Sequence, residues 1–168
     1  PLTLGYSSSG TIIQVGPGLH GFHVGDRVAC GGGGHAVHAE FAAVPQNLMA
    51  QIPDTVDFEQ AAFTTVGAVA LQGFRLSETQ IGSRIAVIGL GLLGLLTVGI
   101  AAAAGCQVFG IDLDPRRVEL AKGMGAFGTA QRSEAVAAMQ SFTKGAGADA
   151  VLICADTGSS DPVELAGE

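Results

Sequence analysis

The chain predicts an α/β protein: a turn-rich β unit followed by a parallel, doubly wound sheet. Three observations carry this. Short β-branched runs broken by Gly and Pro fill the first fifty residues. Apolar runs then alternate with helical stretches at the spacing of right-handed βαβ crossovers. Between two of those runs lies Gly89-Leu90-Gly91-Leu92-Leu93-Gly94.

In order along the chain, Thr11 to Val15 is β-branched and Gly16-Pro17-Gly18 is a turn. Val24 to Val28 turns into a strand, and Gly31 to Gly34 is a glycine loop. Phe41 to Val44 reads as a strand closed by Pro45. Frequent short strands with Gly and Pro turns suggest a small barrel. Phe58 to Ala62 and Thr65 to Arg75 read as helices. The α/β part then runs strand 84–88, helix 91–104, strand 107–111, helix 115–123, strand 127–130, helix 133–143 and strand 149–154. The expected division is 1–63 and 64–168.

The glycine run follows the strand Ile85-Ala86-Val87-Ile88, and the second strand ends in Asp112, 23 residues after Gly89. That is the order of a dinucleotide site, with the acid near the usual offset. Gly89 allows the tight turn, Gly91 lets a pyrophosphate approach the backbone, and Gly94 lets the helix pack close to the sheet. Unpaired N–H groups at the helix start, including those of Leu92 and Leu93, favour the phosphates. Asp112 can accept from a ribose diol and would repel a 2′-phosphate, so NAD is expected over NADP. Arg116 and Arg117 are the counter-indication, because an arginine here can bind that phosphate. After Asp114-Pro115 they also read as ordinary helix surface. A glycine-rich turn with no ligand is the bland alternative for the motif itself.

Composition excludes several classes. Net charge is −7, with the acids dispersed, which argues against a nucleic-acid surface. Residues 85 to 111 hold no charged side chain, long enough to span a bilayer. Six glycines punctuate that run, and strands buried on both faces are themselves continuously apolar. No membrane association and no signal peptide are expected, and a reducing cytoplasm is the simplest compartment. Cys30, Cys106 and Cys154 form no metal or disulfide pattern. His35 and His38 are a metal-like pair without a third ligand nearby, and His20 and His23 read as surface.

The segments Gly-Tyr-Ser-Ser-Ser-Gly (5–10), Val-Gly-Pro-Gly (15–18), Gly-Asp-Arg-Val (25–28), His-Ala-Glu-Phe (38–41), Ile-Pro-Asp-Thr-Val (52–56) and the glycine fingerprint occur in one order. In this the chain resembles the medium-chain dehydrogenase/reductase superfamily of zinc-type alcohol dehydrogenase-like proteins. Residues 5–10, 64–73 and 110–115 are most similar to the branch around bacteriochlorophyllide hydroxyethyl dehydrogenase and the bi-domain oxidoreductases. The resemblance implies a partial GroES-like barrel, then a partial Rossmann domain, with substrate between them. It implies hydride transfer between a nicotinamide and an alcohol or carbonyl, the substrate being a small molecule such as a tetrapyrrole side-chain alcohol or a sugar. A homo-oligomer is compatible with the family.

This chain departs from the family pattern at the metal. Zinc members carry Gly-His-Glu where Gly5-Tyr6-Ser7 stands, and a later cysteine ligand falls at Val66. Valine cannot bind zinc and neutral Tyr is a poor donor. The closely spaced cysteines of a structural-zinc lobe are missing near Cys30. No zinc of either kind is therefore expected. Tyr6, with Ser7 or Thr65, is the candidate to hydrogen-bond the reacting oxygen instead. Alternatively, Tyr6 only fills the vacated volume. Two other functions compete: a nucleotide-binding module without catalysis, and a zinc-free NADPH-dependent enone or quinone reductase. Only four strands of the six in a complete Rossmann sheet are visible, so the chain is expected to be a fragment that is inactive alone.

Overall fold

A computed structural model describes residues 4–168. The chain divides into two compact units, the first ending at Ala68 and the second running Val69–Glu168.

The first unit holds an antiparallel sheet of β1 (Ser7–Thr11), β2 (Arg27–Gly31) and β3 (Met49–Gln51), in that order. Ser7 pairs with Gly31 and Thr11 with Arg27, and Val28 pairs with Gln51. Ile12, Val28, Cys30 and Ala36 form one small core, and Ala29, Ile52 and Ala61 form another. Helix α1 (Phe58–Ala61) starts at Asp57, which accepts from the Gln60 amide at 2.7 Å, while the Gln60 side chain accepts from the Asp57 amide at 3.3 Å. This reciprocal cap stabilises a helix of only four residues.

Two strand expectations need correction here. The first strand lies at Ser7–Thr11, not Thr11–Val15. Past Ile12 the segment leading into β2 turns away at Gly25 (φ +98°), and Ile13 and Val15 are exposed. Phe41 to Val44 is irregular, with Phe41 72% exposed. The edge beside β2 is taken instead by Met49–Gln51.

Helix α2 (Thr64–Leu76) contains the division between the units. The second unit then alternates β4 (Arg84–Ile88), α3 (Leu92–Ala103), β5 (Gln107–Asp112), α4 (Pro115–Gly123), β6 (Gly128–Gln131), α5 (Ala135–Thr143), β7 (Ala150–Ile153) and α6 (Asp161–Gly167). A 3₁₀ turn at Arg132–Glu134 precedes α5. The four strands are parallel in the order β6-β5-β4-β7. Helix α3 buries Gly94, Thr97, Val98 and Ala101, a spacing of three and four residues that puts all of them on one face. Val98 and Ala101 join Ile85 and Val87 of β4, Leu90 of the turn after it, Val108 of β5 and Ala121 of α4. The opposite face packs Ile88, Phe109, Ile111 and Ala130 against Ala135 of α5 and Leu165 of α6. Fully burying each large aliphatic side chain contributes roughly 1.5–3 kcal/mol. This is the α/β, doubly wound arrangement, covered on both faces. Among the described residues no helix is long and apolar enough to cross a membrane.

Candidate functional site

In the second unit, strand order reverses between β4 and β7. This is the switch point beyond whose carboxyl ends ligands bind in open α/β sheets. The glycine turn closes β4 at that point. Gly89 has φ +91°, a conformation other residues rarely adopt, and a Cβ there would sit 2.6 Å from the Ala155 nitrogen. A Cβ on Gly94 would run into the Gly89 carbonyl oxygen, so helix and turn touch only because both residues lack side chains. Around Gly91, by contrast, a Cβ would meet nothing within 4 Å. Gly89 and Gly94 are thus required by the packing of the turn itself, while Gly91 leaves open space beside it.

Gly91 precedes α3 in an extended conformation and offers no side-chain cap. The Leu95 amide bonds the Gly91 carbonyl at 2.9 Å. The amides of Leu92, Leu93 and Gly94 have no backbone or side-chain acceptor among the described residues. Three N–H groups without an acceptor thus stand at the positive end of a 12-residue helix, where negative charge is favoured.

Asp112 ends β5 beside this turn. Its side chain is only 8% exposed. Oδ2 accepts from the Leu90 amide at 2.6 Å and Oδ1 from the Asp114 amide at 2.8 Å. A carboxylate offers about four lone-pair sites, so acceptor capacity remains for a diol. Arg117 lies 3.8 Å from Asp112 Oδ2 with its side chain half exposed. Arg116 is turned to Asp114, whose carboxyl its hydrogen bond holds below the usual carboxylate range. Both arginines are thus paired with acids of their own segment. Cys154 lies under the turn, 3.8 Å from Thr97 Oγ1, and burial pushes its thiol pKa up.

In the first unit the fold gathers Tyr6, Ser7 and Thr65 around one end of the sheet. The Gly32 amide bonds the Tyr6 carbonyl at 2.9 Å, and Ser7 pairs with Gly31. A Cβ on Gly31 would fall 2.7 Å from Thr65 Oγ1, so this glycine makes room for the threonine. The hydroxyls differ in what they are free to do. Ser7 donates to the Ala62 carbonyl at 2.5 Å, and Ser9 to the Phe58 carbonyl at 2.6 Å. These two alternate residues of β1 tie down α1. Thr65 donates to the Cys30 carbonyl at a long 3.3 Å. Tyr6 is 51% exposed. The roles of Gly31, Ser9 and Ala62 were not read from sequence, because their contacts are long-range.

The metal-type residues do not converge. Among the described residues no three His, Cys, Asp or Glu side chains are close enough to hold an ion. The His38 ring packs on Gly5 and the His35 amide bonds the Gly32 carbonyl. Cys30 is buried, which raises its thiol pKa.

Comparison with known proteins gives the same two parts. The alcohol dehydrogenase GroES-like domain family matches residues 1–54, and the zinc-binding dehydrogenase family matches residues 93–162. Both parts of the chain are thus similar to proteins of the medium-chain zinc-type alcohol dehydrogenase superfamily. The (R,R)-butanediol dehydrogenase of Bacillus subtilis is 32% identical over 153 residues, which are 75% of this chain and 43% of that protein. Galactitol-1-phosphate dehydrogenase from Escherichia coli superposes with a TM-score of 0.81 at 29% identity, over 99% of this chain and 56% of that one. A protein of Sinorhizobium meliloti solved bound to NADP gives 0.84 at 26% identity, over 97% and 56%. The chain thus spans about half the length of the relatives it matches. GroES-like and Rossmann-like parts are present in that order, each in partial form.

Proposed function

We propose that this chain supplies the dinucleotide-binding part, and some of the substrate-side residues, of an oxidoreductase that moves a hydride between NAD(H) and an alcohol or carbonyl carbon. The observation that carries this is the glycine turn between β4 and α3, with three unpaired amides at its mouth and the Asp112 carboxylate beside it. The fit is good: Gly91 leaves open space where the pyrophosphate would approach, and the helix end supplies donors. Gly89 and Gly94 hold the turn, the amides of Leu92, Leu93 and Gly94 bind the phosphates, and Asp112 takes the ribose diol. Arg117, already leaning on Asp112, orients that carboxylate and can reach a neighbouring hydroxyl. When bound, NAD supplies the hydride acceptor. The pairing of Arg116 and Arg117 with carboxylates supports NAD over NADP, although one relative was solved with NADP.

The zinc-free character belongs to the same reading. What supports it is the donor set: Tyr6 and Val66 stand where metal ligands are expected, and the remaining His and Cys side chains lie apart. The residues present therefore do not fit a catalytic zinc, although the matching family is a zinc-binding one. Tyr6 is the group we assign to hydrogen-bond the reacting oxygen. Its exposure favours it over Ser7, whose proton is already donated. Thr65, with its long bond to Cys30, is the second candidate. For the substrate, the segments 5–10, 64–73 and 110–115 favour the branch acting on tetrapyrrole or sugar secondary alcohols. Butanediol and polyol dehydrogenases among the relatives point to small vicinal alcohols as the first compounds to assay. The decisive test is NAD-dependent oxidation of such alcohols by the whole protein, with zinc measured in the active sample. Turnover at substoichiometric zinc fits the proposal. Turnover that tracks stoichiometric zinc contradicts it.

A further inference from the structure

The geometry points to Arg132 and Asp161 as a latch that sets the wall of the adenosine side of the dinucleotide site, an inference that rests on the reading above. Neither residue belongs to the glycine fingerprint or to the ribose acid.

The segment from Cys154 to Ser160 leaves the end of β7, continuing its pairing for one residue through the Cys154 amide and the Ile88 carbonyl at 2.7 Å. Ala155 then lies against Gly89, so one end of the segment is fixed on the glycine turn itself. The other end is Asp161, the first residue of α6. It is gripped by Arg132, the residue that follows β6. Because β6 and β7 are opposite edges of a parallel sheet, both ends of this strap lie on the carboxyl side where ligands bind.

The grip is a bidentate fork. Arg132 Nε donates to both Asp161 oxygens at 3.0 Å and its terminal nitrogen donates to Oδ1 at 2.7 Å. A planar guanidinium fixes the direction of the carboxylate as well as its distance, which a lysine could not do. The strap is also knit internally. The Ser159 amide donates to Thr157 Oγ1 and the Asp161 amide to Ser159 Oγ, both at 3.1 Å. Behind it, Leu165 is buried against the sheet. Next to Arg132, Gln131 donates to the Leu113 carbonyl at 3.2 Å, and Gln131 pairs with Asp112 across β5 and β6. Along this edge the Leu90 amide bonds Asp112, Asp112 lies opposite Gln131 in the sheet, and the next residue, Arg132, holds the strap. The latch fixes the far end of the strap, beside β6 and Asp112 on the nucleoside side, while the near end at Ala155 is fixed on the glycine turn without it. Arg132 and Asp161 are positioning residues.

This separation is testable with partial ligands. AMP and inorganic pyrophosphate would be titrated calorimetrically into the wild-type protein and into Arg132→Met, Asp161→Asn, Arg132→Lys and the exchanged pair Arg132→Asp with Asp161→Arg. Circular dichroism would check folding, and Asp161→Asn is the mild variant should Arg132→Met not fold. The expected result is AMP binding weakened about tenfold in the folded single variants, pyrophosphate binding unchanged, and AMP affinity partly restored in the exchanged pair. Arg132→Lys should resemble Arg132→Met more than wild type. AMP affinity indifferent to the folded variants, or AMP and pyrophosphate weakened together, overturns the latch alone. A wild-type protein that binds neither probe overturns the dinucleotide reading and the latch with it.

Discussion

The Leu90 amide donates to Asp112 Oδ2 at 2.6 Å, so the carboxylate that closes β5 also holds the turn that closes β4. One side chain therefore links the glycine turn to the end of β5, the proposed phosphate and ribose sides of the site. Asp112→Ala should act on both. It removes the acceptor for a ribose diol and leaves the Leu90 amide without a partner in a buried place, at a cost of about 1–3 kcal/mol in stability. Asp112→Asn keeps one carbonyl acceptor and should cost less. Thermal unfolding of the two variants, with NADH affinity measured alongside, checks the order.

Gly91 and Gly94 should separate under the same substitution. Gly91→Ala puts a methyl into open space at a negative φ, so stability should change by about 1 kcal/mol or less, the size of a helix-cap effect. NADH binding should nevertheless fall, because the methyl stands where the pyrophosphate approaches. Gly94→Ala drives a methyl into the Gly89 carbonyl and should destabilise by about 1–3 kcal/mol through overpacking. Equal effects of the two variants on melting would contradict the roles assigned here.

Among the hydroxyls, Ser7→Ala and Tyr6→Phe should fail in different ways. Ser7→Ala removes a 2.5 Å bond to the Ala62 carbonyl and should cost about 0.5–1.5 kcal/mol of stability with modest effect on turnover. Tyr6→Phe should leave stability nearly unchanged and lower kcat. An unchanged kcat in Tyr6→Phe would reduce Tyr6 to a space-filling ring.

How much of this was legible beforehand follows from the range of each interaction. The βα alternation was readable because runs such as Ile85–Ile88 and Val108–Ile111 are buried on both faces and so carry no polar residue. The glycine turn was readable because backbone rules act within six residues. In the first unit, Phe41-Ala42-Ala43-Val44 looked like a strand, yet β2 pairs with Met49–Gln51. Met-Ala-Gln has no strand signal of its own, and its place is set by Val28–Cys30, some twenty residues earlier. The Ser7–Ala62 bond and the Arg132–Asp161 fork join residues 55 and 29 apart, which no local pattern announces.

The acid side of the stability profile should show the paired carboxylates. Arg116 holds the Asp114 carboxyl, and Arg132 the Asp161 carboxyl, below the usual carboxylate range. A group whose folded pKa is depressed contributes stability above its unfolded pKa and loses it as pH falls through the folded value. Both contributions are therefore complete at neutral pH and fade below about pH 4, the unfolded aspartate value. Asp161→Asn should flatten part of that acid limb and leave the profile between pH 6 and pH 8 parallel to wild type. Urea midpoints across pH would reveal it.

The measurement closest to the central claim is a titration of the purified protein with NADH and, separately, NADPH, followed by nicotinamide fluorescence with circular dichroism as a folding check. Asp112 at the end of β5, with Arg116 and Arg117 both paired to carboxylates, predicts saturable binding with NADH the tighter ligand. Tighter NADPH binding would contradict the assigned role of Asp112 and move the site toward Arg117. A folded protein that binds neither would contradict the dinucleotide reading of the glycine turn.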